Sequence, residues 1–261
     1  MSVITARIAI ISGTGSWQKS LTGTQIRVGT PYGPSPTLTI EKIGGNDVVI
    51  LPRHGIQHIF PPHKINNRAN IFALHHIGVE RILAVNTVGA INAKMKPGDV
   101  VIPNDFIDFT KSQPVTFYDE GPVTHIDVTA LYCPELQRIV ANSAKTQGRT
   151  VWDDRVYGCT EGPRYESPAE VRMLRLLGCD VVGMTGVPEA ILAHELEMCY
   201  ASLCFVSNMA AGMREKISTE EVLESTKRFE PSLKKILTQA ITNIPRKRSC
   251  TCANALEGAR I

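Results

Sequence analysis

The pattern of apolar and polar positions is most informative between residues 158 and 212. Within this stretch, Ser167 has the side chain of a helix N-cap, and Pro168 after it suits the first helical position. Glu170 stands three residues beyond the cap and completes a capping box, while Gly178 is a typical helix terminator. The sequence therefore predicts a helix between Ser167 and Gly178.

Two short apolar runs, residues 179–184 and 199–206, are typical of buried strands. A second helix is predicted to start between them, near Pro188 and Glu189. With the strand that ends at Thr160, the predicted order is strand, helix, strand, helix, strand. In such a unit the strand ends and the loops after them carry the chemistry. The candidates there are Glu161, Arg164, Tyr165, Glu166, Met184, Thr185 and Asn208.

The rest of the chain continues the same alternation, which predicts an α/β protein. Further strands are predicted at residues 8–11, 46–52, 81–85, from 98 onwards and 151–160, and helices at residues 67–76, 134–148 and 219–244. The last helix is predicted to have Thr219 as its N-cap, because two glutamates follow in the first turn. Residues 112–128 carry loop signals, and a long loop in a compact domain is more often functional than idle.

Length and composition favour one domain. No linker or charge run divides the 261 residues, so we expect a single domain with a core to about residue 244 and a tail over 245–261. The hydrophobic fraction is 43% and the mean hydropathy is −0.03, and no apolar segment is long enough to span a bilayer. The N-terminus leads into a strand rather than a signal peptide, so a cytoplasmic location is expected.

The net charge argues against one class of partner. The chain has 28 Lys and Arg residues against 25 Asp and Glu residues, which leaves a formal charge of +3. This balance does not favour nucleic acid as a partner. The charge balance is compatible with a small anionic substrate.

The chain has seven cysteines, most of which we expect to be reduced core residues. Cys250 and Cys252 differ, because they lie in the tail after the basic run 246–248. Two exposed thiols in an ordinary tail are the favoured interpretation, and a strained local disulfide is the alternative. A metal would need a second pair of ligands nearby, and the tail offers none, so no metal is predicted.

Two predicted strand ends are rich in small residues. The first strand ends in SGTG at residues 12–15, where backbone amides can approach an anion closely and Thr14 adds a hydroxyl donor. A second junction of this kind is NTVGA at residues 86–90. The first motif lacks the third glycine of a dinucleotide fingerprint, so a Rossmann cofactor site is a weak interpretation.

A basic pair follows the strand predicted at residues 46–52. Arg53 can contact phosphate through two parallel N–H groups, and His54 can donate to the same oxyanion. His58 and His63 follow, but no Asp, Glu or Cys lies among them, and a double proline prevents a helix from aligning them as metal ligands. Loop packing is the favoured role of His58 and His63, and contact with the substrate is the alternative. The basic pair and the two small-residue junctions together predict a phosphate site.

Six motifs occur in the order and spacing seen in trimeric purine nucleoside phosphorylases. They are SGTG at residues 12–15, RHG at 53–55, NTVGA at 86–90, EGPRYES at 161–167, GMTGVPEA at 183–190 and SNMAAG at 207–212. The chain resembles the methylthioadenosine phosphorylase branch most closely, from the first strand to the last helix. The resemblance implies a single α/β/α domain around a mixed, partly barrel-like sheet, a homotrimer, and reversible phosphorolysis of a purine nucleoside without a metal or organic cofactor.

The resemblance also implies roles for individual residues. Those expected to hold phosphate are Thr14, Arg53, His54, the backbone amide of Thr87, and Thr185. Those expected to contact the nucleoside are Tyr165, Glu166, Met184, Asn208, Met209 and Ala210, with Met184 against the ribose and Tyr165 near the base or sugar. His125, in the long loop, falls where the family sends a residue into the site of the neighbouring subunit.

Three departures from the methylthioadenosine pattern predict the base. That branch usually has Asp at the positions of Asn208 and Ala210, and Ser at the position of Glu166. The Asn208 amide can donate to a six-position oxygen or the adjacent ring nitrogen, and Glu166 can accept from the ring N–H that only 6-oxopurines carry. We therefore expect Glu166 and Asn208 to be the catalytic pair for a 6-oxopurine nucleoside. Without the motifs, they would be interpreted as a surface Glu and a helix-capping Asn.

The start of the last helix predicts the sugar. Phosphorylases of ordinary ribonucleosides carry a His there to bond the 5′-hydroxyl, whereas Thr219 presents a methyl group and Leu223 an apolar wall. The favoured substrate is S-methyl-5′-thioinosine, which would give hypoxanthine and S-methyl-5-thioribose 1-phosphate in purine and methylthioadenosine salvage. An alternative role for Thr219 is that of a helix cap alone.

Other functions stay open as alternatives. Inosine and guanosine are the alternative substrates of a 6-oxopurine phosphorylase. A methylthioadenosine phosphorylase, a nucleoside hydrolase that uses water, and a non-catalytic nucleotide-binding module are less favoured. The predicted anion site argues against the hydrolase, and the presence of Glu166 together with Asn208 argues against the binding module.

Overall fold

Nine strands form one mixed sheet in the part of the chain that is described. The computed structural model describes residues 6–13, 22–214 and 218–261. The strands are β1 Ile8–Ser12, β2 Thr24–Ile26, β3 Leu38–Ile43, β4 Asn46–Pro52, β5 Arg81–Ala90, β6 Val100–Phe109, β7 Val151–Thr160, β8 Val181–Gly183 and β9 Cys199–Met209. The α-helices are α1 Asn67–His76, α2 Pro134–Thr146, α3 Pro168–Leu176, α4 Gly186–Glu195 and α5 Thr219–Asn243. No described helix is both long and apolar enough to cross a membrane.

The order of the strands closes one half of the sheet into a barrel. Across the sheet the order is β2-β3-β4-β1-β5-β8-β7-β6-β9, and β9 also pairs with β5 along its whole length. Strands β5, β8, β7, β6 and β9 therefore form a closed ring, because the last strand returns to the first. This closure confirms the mixed, partly barrel-like sheet expected from the sequence.

Helices cover both faces of the sheet. Ile10 of β1 belongs to a core cluster that includes Leu237 of α5 and the buried face of α2. The next residue, Ile11, belongs to a second cluster that includes Leu74 of α1 and the buried face of α4. Because successive side chains of a strand point to opposite faces of the sheet, the two pairs of helices lie on opposite sides. The layers are therefore α/β/α, as expected.

The helix predicted after residue 166 is confirmed at both ends. Ser167 Oγ accepts the Glu170 N–H at 3.2 Å, and Glu170 Oε2 accepts the Ser167 N–H at 2.7 Å, so the capping box is complete. Gly178 follows the helix with φ of +91°, a conformation that a residue with a Cβ adopts only at a cost. The order β7, α3, β8, α4, β9 also confirms the predicted alternation.

The structure corrects several local predictions. Residues 86–90 are not a loop but continue β5, because they pair with the end of β9. Helix α4 begins at Gly186, before the predicted start. Ser218, and not Thr219, is the N-cap of α5, since its Oγ accepts the Glu221 N–H at 3.0 Å. Strands β2 and β3 are absent from the sequence prediction; β2 has three residues, none of them buried.

The tail beyond α5 packs against the rest of the protein. Cys252 is 4% exposed and Cys250 is half-buried, so the prediction of two exposed thiols is wrong. Both are free thiols, and no disulfide joins them. The chain end forms a β-bridge between Thr124 and Arg260, and the Ile261 N–H donates to a backbone carbonyl of the same loop. The tail therefore holds the long loop that precedes α2.

Gly183 of β8 offers a test of the barrel interior. A Cβ at this position would lie 2.1 Å from Tyr157 Oη, and Tyr157 is 1% exposed and enclosed by its neighbours. We expect Gly183→Ala to lower the free energy of unfolding by about 1–3 kcal/mol through overpacking. Gly29→Ala is the control, because a Cβ there meets no atom within 4 Å. Equal urea midpoints for the two variants would contradict this packing.

Candidate active site

One cavity gathers most of the residues predicted from the sequence. It has a volume of about 610 Å³ and is lined by residues at or just beyond the ends of β1, β4, β5, β8 and β9. The predicted residues that line it are Arg53, His54, Thr87, Tyr165, Glu166, Met184, Thr185, Asn208, Ala210, Thr219 and Leu223. Because β4, β1, β5 and β9 run parallel, their carboxyl ends meet at one edge of the sheet.

Thr14 lies outside the described residues, so its position is left open. Met209 and His125 are described and are not part of the lining. Met209 packs in a core cluster with Val88, and only its backbone takes part in the site. His125 is exposed in the long loop, where its N–H donates to the Ala259 carbonyl at 2.8 Å.

Two charged residues of the loop after β7 stabilise the loop rather than line the cavity. Glu161 accepts hydrogen bonds from the Lys111 N–H at 2.6 Å and from Ser112 Oγ at 2.5 Å. Arg164 forms a bidentate pair with Glu170 at 2.7 and 2.8 Å. These contacts join the loop to residues 111–112 and to α3, and so help to position Tyr165 and Glu166 of the same loop.

The guanidinium of Arg53 is buried and bound to a carboxylate. Its Nε and Nη2 donate to the two oxygens of Glu189 at 2.5 and 2.8 Å, and its Nη1 donates to the Val85 carbonyl at 2.8 Å. Arg53 is 2% exposed and Glu189 is fully buried. Burial opposes the charge, but the Glu189 carboxylate outweighs it and raises the pKa of Arg53 above its ordinary value. Arg53 therefore stays protonated.

This pairing changes how Arg53 can bind an anion. Three of the five guanidinium N–H donors are engaged, so two are left for a ligand. Glu189 is fixed in turn by Tyr200 Oη, which donates to it at 3.0 Å. Gly13 directly follows β1, and a Cβ there would lie 2.9 Å from the Val85 carbonyl oxygen and 3.0 Å from Arg53 Nη1, so the position favours glycine. The pair has no net charge, and anion binding depends on directed N–H groups.

His54 is a buried histidine whose ring is fixed by the loop that follows it. Its Nδ1 donates to the Phe60 carbonyl at 2.8 Å, and the Phe60 N–H donates back to the His54 carbonyl at 3.0 Å. Burial, the Arg53 charge and the stacked ring of His58 lower the pKa of His54 to about 3. Near pH 7, Nε2 therefore accepts a hydrogen bond rather than donating one. The predicted contact with an oxyanion requires a proton carried by the ligand.

The N-terminus of α4 is a second anion-binding feature. No described side chain caps the helix, and the N–H groups and dipole of an open helix start favour a negative group. Thr185, just before the helix, donates from its hydroxyl to Asn86 Oδ1 at 3.1 Å, and Asn86 Nδ2 donates to Ser202 Oγ at 2.7 Å. Thr185 lines the same cavity as Arg53. Both features therefore belong to the same cavity.

Glu166 and Asn208 supply an acceptor and a donor to the cavity. Glu166 Oε1 accepts from Thr160 Oγ1 at 2.5 Å, and no hydrogen bond to its other oxygen is found among the described residues. Asn208 Oδ1 accepts from the Ser207 hydroxyl at 2.6 Å, and its Nδ2 donates to the Met209 carbonyl at 2.8 Å. Because a carbonyl only accepts, this bond assigns the amide nitrogen and leaves one Nδ2–H for a ligand.

Apolar side chains make up much of the remaining lining. They are Val182, Met184, Ala210, Val222 and Leu223. Leu223 is 42% exposed and Tyr165 is 39% exposed, so both lie at the opening of the cavity. Lys227, one turn after Leu223 on α5, also lines the cavity and adds a positive charge that the sequence analysis does not single out.

Glu189 is the other residue that sequence reasoning misses. In the sequence it is an acidic residue near a helix N-terminus, which is an ordinary position for Glu. The available signal is its place within the otherwise apolar run GVPEAILA. A carboxylate buried among apolar residues is rarely left without a partner. The apolar run around Glu189 therefore indicates a cationic partner, although it does not identify Arg53.

The architecture is shared with a class of known enzymes. A solved methylthioadenosine phosphorylase from an antarctic soil metagenomic library matches with a TM-score of 0.92 and 30% identity, over 98% of this chain and 93% of that chain. The methylthioadenosine phosphorylase from Schistosoma mansoni, solved in complex with adenine, matches with a TM-score of 0.91 and 28% identity, over 98% and 99%. The fold is therefore that of the nucleoside phosphorylases.

The family follows from similarity in sequence. A family model described as the phosphorylase superfamily matches residues 7–242, and the chain belongs to this superfamily. A Methanopyrus kandleri protein named "Probable S-methyl-5'-thioinosine phosphorylase" is 48% identical over 97% of this chain and 99% of its own length. The 6-oxopurine nucleoside phosphorylase of Pyrococcus furiosus is 47% identical over 97% and 98%. These matches confirm the resemblance carried by the six motifs.

Replacing Glu189 by Gln tests the buried ion pair. The change leaves the charge of Arg53 buried without a counter-charge, and breaking a buried pair on one side costs about 3–5 kcal/mol. We expect Glu189→Gln to lower the free energy of unfolding by about 3 kcal/mol in urea at pH 7. The control is Asp153→Asn, which removes an exposed pair with Lys145 and should cost no more than about 1 kcal/mol. Equal losses in the two variants would show that the buried pair does not hold the cavity together.

Proposed function

We propose that this protein catalyses the reversible phosphorolysis of a 6-oxopurine nucleoside, with S-methyl-5′-thioinosine as the favoured substrate. The products are hypoxanthine and S-methyl-5-thioribose 1-phosphate. The observation that carries the proposal is that anion-binding groups, Arg53 and Thr185, line the same cavity as Glu166 and Asn208. An enzyme that brings phosphate to a purine nucleoside needs both sets of groups.

The names of the similar proteins support the choice of base. The Methanopyrus kandleri relative is named for S-methyl-5′-thioinosine, and the Pyrococcus furiosus relative for 6-oxopurine nucleosides. Since methylthioinosine is itself a 6-oxopurine nucleoside, the two names agree on the base and differ only in how they specify the sugar. At 48% and 47% identity, neither name decides the sugar for this chain.

The charges that develop during the reaction explain the two ends of the cavity. As the glycosidic bond stretches, its electrons move to the purine, and the sugar approaches an oxocarbenium ion. Bound phosphate stabilises the positive sugar, and one of its oxygens forms the new bond to the anomeric carbon. A hydrogen bond or proton given to the purine stabilises the leaving group. No step requires a metal or an organic cofactor.

Phosphate is held by N–H and hydroxyl donors in this proposal. The two open N–H groups of Arg53, the backbone amide of Thr87, Thr185 and the start of α4 are the donors, with Thr14 as a further candidate. His54 takes a different role, because its neutral ring accepts from a phosphate hydroxyl through Nε2. The protein therefore binds phosphate without an unpaired buried cation.

The purine is recognised by Glu166 and Asn208. The open Nδ2–H of Asn208 donates to the imidazole nitrogen or the six-position oxygen of the base, and the free oxygen of Glu166 accepts the ring N–H of a 6-oxopurine. In a 6-aminopurine that ring nitrogen carries no hydrogen, so two acceptors would face each other. A polar mismatch in a buried site is costly, and this disfavours adenine nucleosides.

The sugar end of the cavity favours a 5′-methylthio group. Thr219, Val222 and Leu223 present methyl groups from the first turns of α5 to the cavity. A 5′-hydroxyl placed against them would lose its hydrogen bond to water, whereas a methylthio group gains apolar contact. Inosine and guanosine are therefore the second choice.

The decisive experiment compares S-methyl-5′-thioinosine, inosine, guanosine and methylthioadenosine, each with and without phosphate. We expect the highest kcat/KM for methylthioinosine, strict dependence on phosphate, and a value about 100-fold lower for methylthioadenosine. Turnover without phosphate would indicate a hydrolase. A preference for inosine or guanosine would overturn the sugar assignment while leaving the base and the mechanism in place.

Asn208→Asp tests the contact with the base. The carboxylate removes the open N–H donor and places an acceptor opposite the six-position oxygen. We expect kcat/KM for methylthioinosine to fall by about 100-fold or more, and the value for methylthioadenosine to fall less. Asn142→Asp, the same change at an exposed position of α2, is the control and should leave both values unchanged. Equal losses on the two substrates would contradict the assigned contact.

We further propose that the protein is a homotrimer in which His125 completes the site of a neighbouring subunit. His125 is exposed and lines no part of its own cavity, and Val123 and Val128 expose apolar surface in the same loop, as subunit contacts do.

His125→Ala tests this assembly. We expect the variant to lower kcat/KM while light scattering shows the same trimer mass, because the histidine acts on the substrate rather than on assembly. His76→Ala, at an exposed position of α1, is the control. A fully active monomer in sedimentation would contradict the shared site.

A further inference from the structure

Four cysteines from distant parts of the chain meet outside the cavity. Cys133 is the N-cap of α2, Cys199 is the first residue of β9, and Cys250 and Cys252 belong to the tail. Their sulfur atoms all lie within 4.8 Å of one another, and no other such group of potential metal ligands occurs among the described residues. We propose that these four side chains form a structural zinc site.

The spacing of the sulfur atoms suits tetrahedral coordination. A Zn–S bond of about 2.3 Å corresponds to sulfur–sulfur distances of about 3.8 Å in a tetrahedron. The sulfurs of Cys199 and Cys250 are 3.3 Å apart, and none of the four is more than 4.8 Å from another. All four are free thiols. Small side-chain rotations are therefore enough to bring the four sulfurs onto one ion.

The backbone holds the first two ligands in place. The Cys133 N–H donates to the Tyr200 carbonyl at 2.8 Å, and the Cys199 N–H donates to the Glu80 carbonyl at 2.9 Å. Both cysteines are fully buried at the edge of the core. Half of the site is thus part of the rigid body of the protein, and its geometry does not depend on the tail.

Polar contacts bring the other two ligands to the first two. Ser249 Oγ donates to Glu135 Oε1 at 2.5 Å, two residues after Cys133 in the chain. Arg248 Nη1 donates to the Glu197 carbonyl at 2.8 Å, close to the start of β9. The residues just before Cys250 are therefore fixed against the same two elements that carry the first pair of ligands. The second pair of ligands that the tail itself lacks comes from these elements.

The ligand set favours Zn²⁺ over other common cations. Four thiolates suit zinc or iron, whereas Mg²⁺ and Ca²⁺ require oxygen ligands. Four protein ligands leave no open position, which is typical of a structural site and not of a catalytic one. Binding releases the four thiol protons and leaves a site with two net negative charges. The start of α2, where Cys133 lies, is a favourable place for negative charge.

The proposed ion would tie the tail to the body of the protein. Beyond the site, the bridge between Thr124 and Arg260 and the bond from the Ile261 N–H to the Val123 carbonyl hold the long loop. That loop carries His125. Zinc at the four cysteines therefore fixes the end of the chain that positions this loop, at a distance from the reacting groups.

Metal content is the first test. Protein produced with Zn²⁺ in the medium and purified under reducing conditions without chelator is expected to hold about one zinc ion per chain, measured by inductively coupled plasma mass spectrometry. The double variant Cys250→Ser, Cys252→Ser is expected to lose the ion. Cys179→Ser, which changes a buried cysteine outside the cluster, is the control and is expected to keep it. Zinc-free wild-type protein, or equal zinc in all three proteins, would overturn the proposal.

The second test uses the wild-type chain alone, so it does not depend on the folding of a variant. Replacement of the bound metal by Co²⁺ is expected to produce thiolate-to-cobalt charge transfer and the intense visible bands of a tetrahedral site. Intact mass spectrometry of the freshly purified protein is expected to show all cysteines reduced once the metal is removed. An intact mass that shows two disulfides, an absence of cobalt bands, or iron in place of zinc would each overturn the assignment.

Discussion

The buried ion pair between Arg53 and Glu189 is the interaction on which the cavity depends. Removing two charges from water is expensive, and only a well-aligned pair with further hydrogen bonds offsets that cost. Here both carboxylate oxygens, the Val85 carbonyl and the Tyr200 hydroxyl satisfy the pair. It joins the end of β4 to the first turn of α4, with the glycine that follows β1 packed beside it. The floor of the cavity is therefore an electrostatic junction between three elements.

A neutral junction of this kind suits an enzyme that must release an anion as well as bind it. An unpaired buried cation would hold phosphate or sugar phosphate tightly, whereas directed N–H groups and a helix start bind by geometry. The neutral ring of His54 follows the same logic, because in the proposed site it would accept from the ligand without adding charge. The polar groups that we propose for the base, Glu166 and Asn208, are likewise positioned by hydrogen bonds within the protein.

Closure of the sheet brings these groups together. The pairing of β9 with β5 places the ends of both strands at one edge, and Thr87 and Asn208 line the cavity from them. The same closure explains an error of the sequence prediction. Residues 86–90 look like a loop, because most of them are small, yet they continue β5. Small residues fit there because neighbouring elements crowd this segment: a Cβ at Gly89 would lie 3.4 Å from Ala210 Cα and 3.5 Å from Val182 Cγ1. This crowding is a property of the barrel rather than of the segment.

The sequence by itself determined the local features of this protein. The cap at Ser167, the stop at Gly178 and most strands follow from residues a few positions apart, and the motifs identified most of the cavity lining. Only the tertiary structure decided which residues became partners. No feature of the sequence identifies Glu189 as the partner of Arg53. Likewise, none identifies Cys133 and Cys199 as the neighbours of the two thiols of the tail. The physical reason is that such pairing depends on which strand and helix ends meet when the sheet closes, and no local spacing encodes that meeting.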